Sequence, residues 1–285
     1  MRKIFSFIIL AILVSACKQK DNKAITTQTE TGKDSIKEDH SATIAQTDSD
    51  LAELFSKTKS EIILKLKSLS KEEANALYEK YYEENGILLG RIDEKEAKVL
   101  DKFYSENEAD KKEIKLLDQK LAKHQLQFDE LGEGYVEITT KNDFYYAIFK
   151  DYVTPDYKEY LFLKSEENKM PYSADAGLII TFKDLGDRII SWENFMNKYP
   201  NSKLIPSVKE EYKNYQMDYL IGQDNTPTYE KVNDVYIYPE NIQEFNRFEK
   251  KYPKSPTVSL IHIFKENFKN ENIPQLLRAE QEKLQ

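Results

Sequence analysis

Trp192-Glu193-Asn194-Phe195-Met196-Asn197-Lys198-Tyr199-Pro200-Asn201-Ser202 is matched, 53 residues later, by Phe245-Asn246-Arg247-Phe248-Glu249-Lys250-Lys251-Tyr252-Pro253-Lys254-Ser255. Both copies hold an aromatic residue, a phenylalanine three positions on, and then Tyr-Pro-x-Ser. Apolar-periodic stretches follow, through Tyr212 and Tyr215 in the first copy and Phe264 and Phe268 in the second. Proline drives the residue before it out of the α region, so each tyrosine ends a helix. The serine that follows has the chemistry to cap the next one. Aromatic rings then fill the wedge between the two helices. Each copy therefore reads as a helical hairpin, and the pair sets the expected fold class: all-α, built of helical hairpins or a bundle.

Outward from the repeat the same period continues. Glycine occurs only 8 times and proline 9, which suits long helices. From Ser49 onward, Leu51, Phe55, Thr58, Ile62, Leu66 and Leu69 share one helical face. Ser70-Lys71-Glu72-Glu73 is a capping box. It opens a helix through Leu77, Tyr78, Tyr81 and Tyr82 that is expected to stop at Asn85-Gly86. Further helices are expected over 94–104, 110–128, 143–152 and 157–167; the second carries Ile114, Leu117, Leu121, His124 and Phe128 on one stripe. Leu178, Phe182, Leu185, Ile189, Trp192 and Phe195 form the longest stripe, weakened by Gly177 and Gly186. Tyr135 to Thr140 alternates apolar and polar residues after the break at Leu131-Gly132-Glu133-Gly134, so at most one short β-hairpin is expected, near 135–140. The folded region divides on this reading into an N-terminal helical part, 49–131, and a C-terminal helical part, 132–285, with the hairpin repeat at 192–215 and 245–268.

The amino end is of a different kind. Arg2 and Lys3 precede an apolar run from Ile4 to Val14, which falls short of the roughly 20 residues a membrane-spanning helix needs. Val14-Ser15-Ala16-Cys17 follows, and Cys17 is the only cysteine in 285 residues. This segment resembles a bacterial lipoprotein signal peptide, with Val14, Ser15 and Ala16 as its lipobox. The resemblance implies removal of residues 1–16, a diacylglycerol on the Cys17 thiol and an acyl chain such as palmitate on its new amino group. Residues 17–48 then read as a lipidated amino terminus and a disordered tether. Lys18 to Asp48 contain no aromatic residue and are dominated by Lys, Thr, Asp, Gln and Ser, too polar to offset their ordering entropy. Such a tether reaches roughly 30 Å. Lys18, in place of an aspartate after the cysteine, suits delivery to the periplasmic side of the outer membrane. No acidic run of the kind that marks surface export in some bacteria follows Cys17.

The Tyr-Pro-x-Ser hairpins in turn resemble tetratricopeptide-type repeats of envelope lipoproteins, in which stacked helix pairs form a curved scaffold. Here the offset is 53 residues instead of 34, and no small residue for close helix approach is evident. The resemblance implies a partner-binding scaffold.

Charge and missing motifs narrow the function further. Without residues 1–16, which hold Arg2 and Lys3, the chain keeps 40 basic and 50 acidic residues, a formal charge of −10. That balance gives no basic surface for nucleic acid. The expected partners are the lipid bilayer, through acylated Cys17, and an envelope protein or peptide. No catalytic signature, metal-ligand spacing or cofactor fingerprint is present, so no catalytic residue, metal or cofactor is assigned. His124, alone on its apolar stripe, reads as a packed, hydrogen-bonded side chain. The 19 tyrosines and 14 phenylalanines read mainly as packing between helices. Two other functions stay open: a small ligand or glycan held on the aromatic cluster Phe144, Tyr145, Tyr146, Phe149 and Tyr152, and hydrolysis of glycans by a carboxylate pair.

Overall fold

A computed structural model describes residues 50–284 except Glu133 and Asn233. The described residues belong to one compact unit, mainly α-helical, with ten helices among them. The expected all-α class is what is found. Cys17, the lipobox residues Val14, Ser15 and Ala16, and the 17–48 tether lie outside the described residues. No described helix is long and apolar enough to cross a membrane.

The first helices are α1 (Leu51–Leu66) and α2 (Lys71–Leu100). Ser70 accepts from the Glu73 backbone N–H, and Glu73 reaches back to the Ser70 N–H at 2.8 Å, so the capping box opens α2 as its sequence requires. The helix does not stop at Asn85-Gly86. Tyr78, Tyr81, Asn85, Leu88 and Ile92 are all buried and continue one stripe at alternating steps of three and four. Burying Leu88 and Ile92 is worth about 1.5–3 kcal/mol each, which outweighs the roughly 1 kcal/mol that a glycine costs a helix. The helix expected over 94–104 is therefore the end of α2.

α3 (Glu108–Lys123) ends earlier than its stripe suggested. His124 caps it and Gln125 takes a left-handed φ of 62°. The chain then reverses into β1 (Leu126–Gly132), which pairs antiparallel with β2 (Tyr135–Thr140). Phe128 thus belongs to a strand. Leu126 and Ile138 face the core, and Phe128 packs on Phe103 at 5.2 Å. The boundary drawn at 131/132 falls inside this hairpin. On the outer edge of β2, the Ile138 N–H donates to Asp93 of α2 at 2.7 Å. An otherwise open strand edge is thereby occupied.

Three helix pairs follow: α4 (Phe144–Phe149) with α5 (Pro155–Lys169), α6 (Phe182–Lys198) with α7 (Ile205–Ile221), and α8 (Pro239–Lys251) with α9 (Thr257–Asn267). α10 (Ile273–Lys283) packs on α7 and α9. The two Tyr-Pro turns adopt one geometry: Tyr199 lies at φ −127°, ψ 57° and Tyr252 at φ −128°, ψ 55°. Each turn docks on the preceding pair through the same two hydroxyls. Tyr199 and Ser202 donate to Glu159 and Asp156 of α5. Tyr252 and Ser255 donate to Asp187 and Glu193 of α6. The turn before α5 follows suit with Thr154, which exchanges two hydrogen bonds with Asn75 of α2.

Leu178 lies outside the long stripe it seemed to start. Thr181 accepts from the Asp184 N–H at 3.1 Å and so starts α6 later. Leu178 sits instead in a two-residue ladder, β3 (Ser173–Ala174) with β4 (Gly177–Leu178). A second ladder, β5 (Gly222–Gln223) with β6 (Thr226–Pro227), lies against it through Asn225 N–H to Ala176 O and Leu178 N–H to Thr226 Oγ1, both 2.9 Å. One hairpin was expected; strands of two residues are too short to carry a readable alternation. Gly186, which had looked like a weak point of α6, is a close-approach position. A Cβ there would meet Tyr219 of α7 at 3.1 Å and Phe248 of α8 at 3.2 Å.

Candidate functional site

The hairpin β1–β2, with one face in the core, presents Gln127, Asp129 and Thr139 from the other. These side chains form one wall of a groove of about 570 Å³. Tyr82, Gly86 and Leu89 of α2 and Tyr145 of α4 line its floor and rim. The rest of the lining includes residues of α5, α6 and α7, with Lys164, Glu167, Arg188, Glu211 and Tyr215.

Most of the charge in that part of the lining is internally bound. Lys164 Nζ lies 2.6 Å from Glu211 and 3.3 Å from Glu167. The indole N–H of Trp192, the only tryptophan in the chain, donates to Glu167 at 2.8 Å, and Tyr215 donates to Glu211 at 3.0 Å. Burial alone would draw Lys164 toward its neutral form, but Glu211 and Glu167 hold it above the ordinary lysine value. Burial raises Glu167 above the usual carboxylate range, opposed by Lys164. Tyr172, also in the lining, is pushed up to about 12 by burial and by nearby Asp218.

Asp129 and Arg188 differ from this trio. Asp129 makes no side-chain hydrogen bond or ion pair among the described residues, and Arg188 bonds only the Met170 carbonyl. They are the ionic groups of the lining that make no ion pair among the described residues, although the Arg188 charge also acts on Glu167.

A second polar cluster lies between the helix pairs. Glu193 Oε1 accepts from Ser255 at 2.7 Å, Tyr212 at 2.8 Å and Thr257 at 3.0 Å. Glu193 is buried and makes no ion pair among the described residues. Burial pushes its carboxyl up, and the three hydroxyls partly offset that. Gln216 and Gln281 extend the network to α10. It borders a smaller cavity of about 190 Å³ that also touches Met196, Pro256 and Leu284.

The aromatic cluster kept open as an alternative ligand surface is largely packed inward, in line with the packing reading. Phe144 and Phe149 are core residues, 5.2 Å from Phe55 and 5.4 Å from Tyr78 respectively. Tyr146 packs on Phe162 at 5.6 Å, and Tyr152 is packed against the core. Only Tyr145 reaches the groove, where its hydroxyl accepts from Asn85 at 3.3 Å. Residues 144, 148 and 149 face inward because α4 is under two turns long and buries every apolar side chain it can. His124 is hydrogen-bonded, with Ser56 Oγ 2.7 Å from its Nδ1. No group of three His, Cys, Asp or Glu among the described residues is placed to hold a metal.

Lys164, Glu167, Arg188, Glu211 and Asp129 were not singled out by sequence. They come from four separate elements, and each looks locally like one charge on a solvated helix or strand face. Compared with known proteins, the chain matches no family model, no curated protein and no solved structure.

Proposed function

We propose that this chain is a lipid-anchored protein of the bacterial cell envelope, held by acylated Cys17. Its helical domain acts as a non-enzymatic binding module that receives a peptide segment of an envelope partner in the groove beside β1–β2. The lipobox-like Val14-Ser15-Ala16-Cys17 supports the anchor, and two or more acyl chains hold firmly where one holds marginally. The observation that carries the binding reading is the groove itself. Its lysine and two glutamates bind one another, while amides, hydroxyls and two ionic groups stay available to a ligand.

Gly86 provides the test. A Cβ added there meets nothing within 4 Å, so Gly86→Phe introduces a bulky ring at the groove lining without a backbone clash at its Cβ. Capture from crosslinked envelope membranes should recover a discrete partner with the wild-type chain and lose it with Gly86→Phe, at unchanged helicity. Recovery of the same partner by both chains would remove the groove from the account.

A further inference from the structure

Two ionic groups of the groove lining make no ion pair among the described residues and have opposite charge: Asp129 on β1 and Arg188 on α6. The other three charged lining residues are one lysine and two glutamates, with Lys164 shared between Glu167 and Glu211 and the Arg188 charge also acting on Glu167. Arg188 is held in place through the Met170 carbonyl, which leaves the rest of its donor fork for a carboxylate. Such a fork binds a carboxylate through two parallel hydrogen bonds, and lysine does not reproduce that geometry. Asp129, which can only accept when ionised, calls for a donor, best an ammonium. Neutral hydroxyls and amides in the same lining, from Thr139, Thr140 and Asn168, suit a backbone of alternating N–H and C=O groups.

We infer that the groove takes a short zwitterionic peptide, with its ammonium at Asp129 and its carboxylate at Arg188. This rests on the groove being the binding site, as proposed above. A uniformly anionic ligand would meet Asp129 without compensation, and a uniformly cationic one would meet Arg188. Each wrong charge removes one pair and adds one repulsion. The site therefore selects by charge order along the ligand, and its affinity falls with salt.

Trp192 supplies the readout, because its indole N–H is bonded to the groove-lining Glu167. The full-length chain in detergent is titrated with trialanine, N-acetyl-trialanine and trialanine amide while tryptophan emission is followed. Trialanine should bind saturably, and each blocked form about tenfold more weakly. Asp129→Asn should abolish the penalty of acetylation alone, and Arg188→Gln the penalty of amidation alone. Arg188→Lys should recover only part of the lost affinity. Both positions are partly exposed, and circular dichroism of each variant confirms folding. Equal binding of all three peptides, or penalties that do not follow their assigned residues, would overturn the charge assignment. Should the wild-type chain bind none of the three while Gly86→Phe still abolishes partner capture, the zwitterion fails and the groove reading stands. Failure of both tests removes the groove as well.

Discussion

Replacing Gly186 by alanine tests how closely the helix pairs approach one another. In an open helix interior, Gly→Ala stabilises by about 0.8–1 kcal/mol through propensity. Gly90, exposed in the middle of α2 with nothing within 4 Å of an added Cβ, should show that gain in full. At Gly186 the same methyl group meets ring carbons at 3.1 and 3.2 Å, from Tyr219 and Phe248, two helices that both pack on α6. Tyr219 and Phe248 are fully buried and in contact with each other at 5.3 Å, so neither ring can yield without moving the other. Overpacking of this kind costs typically 1–3 kcal/mol. The net for Gly186→Ala is a destabilisation of roughly 0–2 kcal/mol, against a stabilisation of about 0.8–1 kcal/mol at Gly90. For a domain of about 235 residues, 1 kcal/mol moves Tm by about 2–4 °C. Urea unfolding followed by circular dichroism, with unchanged slope, should therefore show Gly90→Ala more stable than wild type and Gly186→Ala less stable. If Gly186→Ala stabilises as much as Gly90→Ala, the close approach of α6, α7 and α8 is wrong.

Other perturbations probe separate joints. Asp93→Ala leaves the Ile138 N–H without an acceptor, which should cost about 1–3 kcal/mol and raise hydrogen exchange at Ile138 first; unchanged exchange there would show that the edge is held otherwise. Asn75→Ala removes both bonds to Thr154 and should lower urea stability by about 1–3 kcal/mol, whereas a neutral result would mean that this turn does not dock the first helix pair. Glu193 has a folded-state pKa raised by burial, so wild type is favoured while the carboxyl is protonated and loses that contribution as pH rises from the unfolded value near 4.3 through the folded one. Relative to wild type, Glu193→Gln should accordingly gain stability as pH rises above the unfolded carboxyl value near 4.3, and a pH-independent difference would refute the assignment.

The fold class was legible because its signals are local. Tyr-Pro stops one helix within two residues, and Ser70 and Glu73 sit within one turn of each other; Ser202 and Ser255, though, cap neither α7 nor α9 and donate instead to Asp156 and Glu193. Local rules misjudged the places where tertiary burial outweighs them. Asn85-Gly86 has the composition of a helix end, yet Asn85 is buried against Tyr145 and the stripe runs on to Ile92. Leu121, His124 and Phe128 keep a helical spacing, but Leu126 and Phe128 also fit a strand, and the left-handed Gln125 decides between them. Gly186 could be read only as a weakness until Tyr219 and Phe248 were placed over it. The groove lay beyond local reading altogether. A lysine on α5 and a glutamate on α7, 47 residues apart, become partners only through the helix packing, and nothing in their neighbours' identities marks them. Trp192 and Glu193 stand in the repeat with no local sign that one bonds a groove-lining glutamate and the other ties two helix pairs together.

The most direct test of a tethered module with a peptide-receiving groove is site-specific photo-crosslinking in intact envelopes. A photo-reactive phenylalanine analogue is placed at Tyr82, which is 56% exposed on the groove rim, and separately at Leu116, equally exposed on α3 and outside the groove. The account predicts a discrete adduct in the lipid-bearing membrane fraction from position 82 and none from position 116, with the adduct lost when Cys17→Ser releases the chain from the membrane. Equal adducts from both positions, or an adduct from position 116 alone, would contradict it.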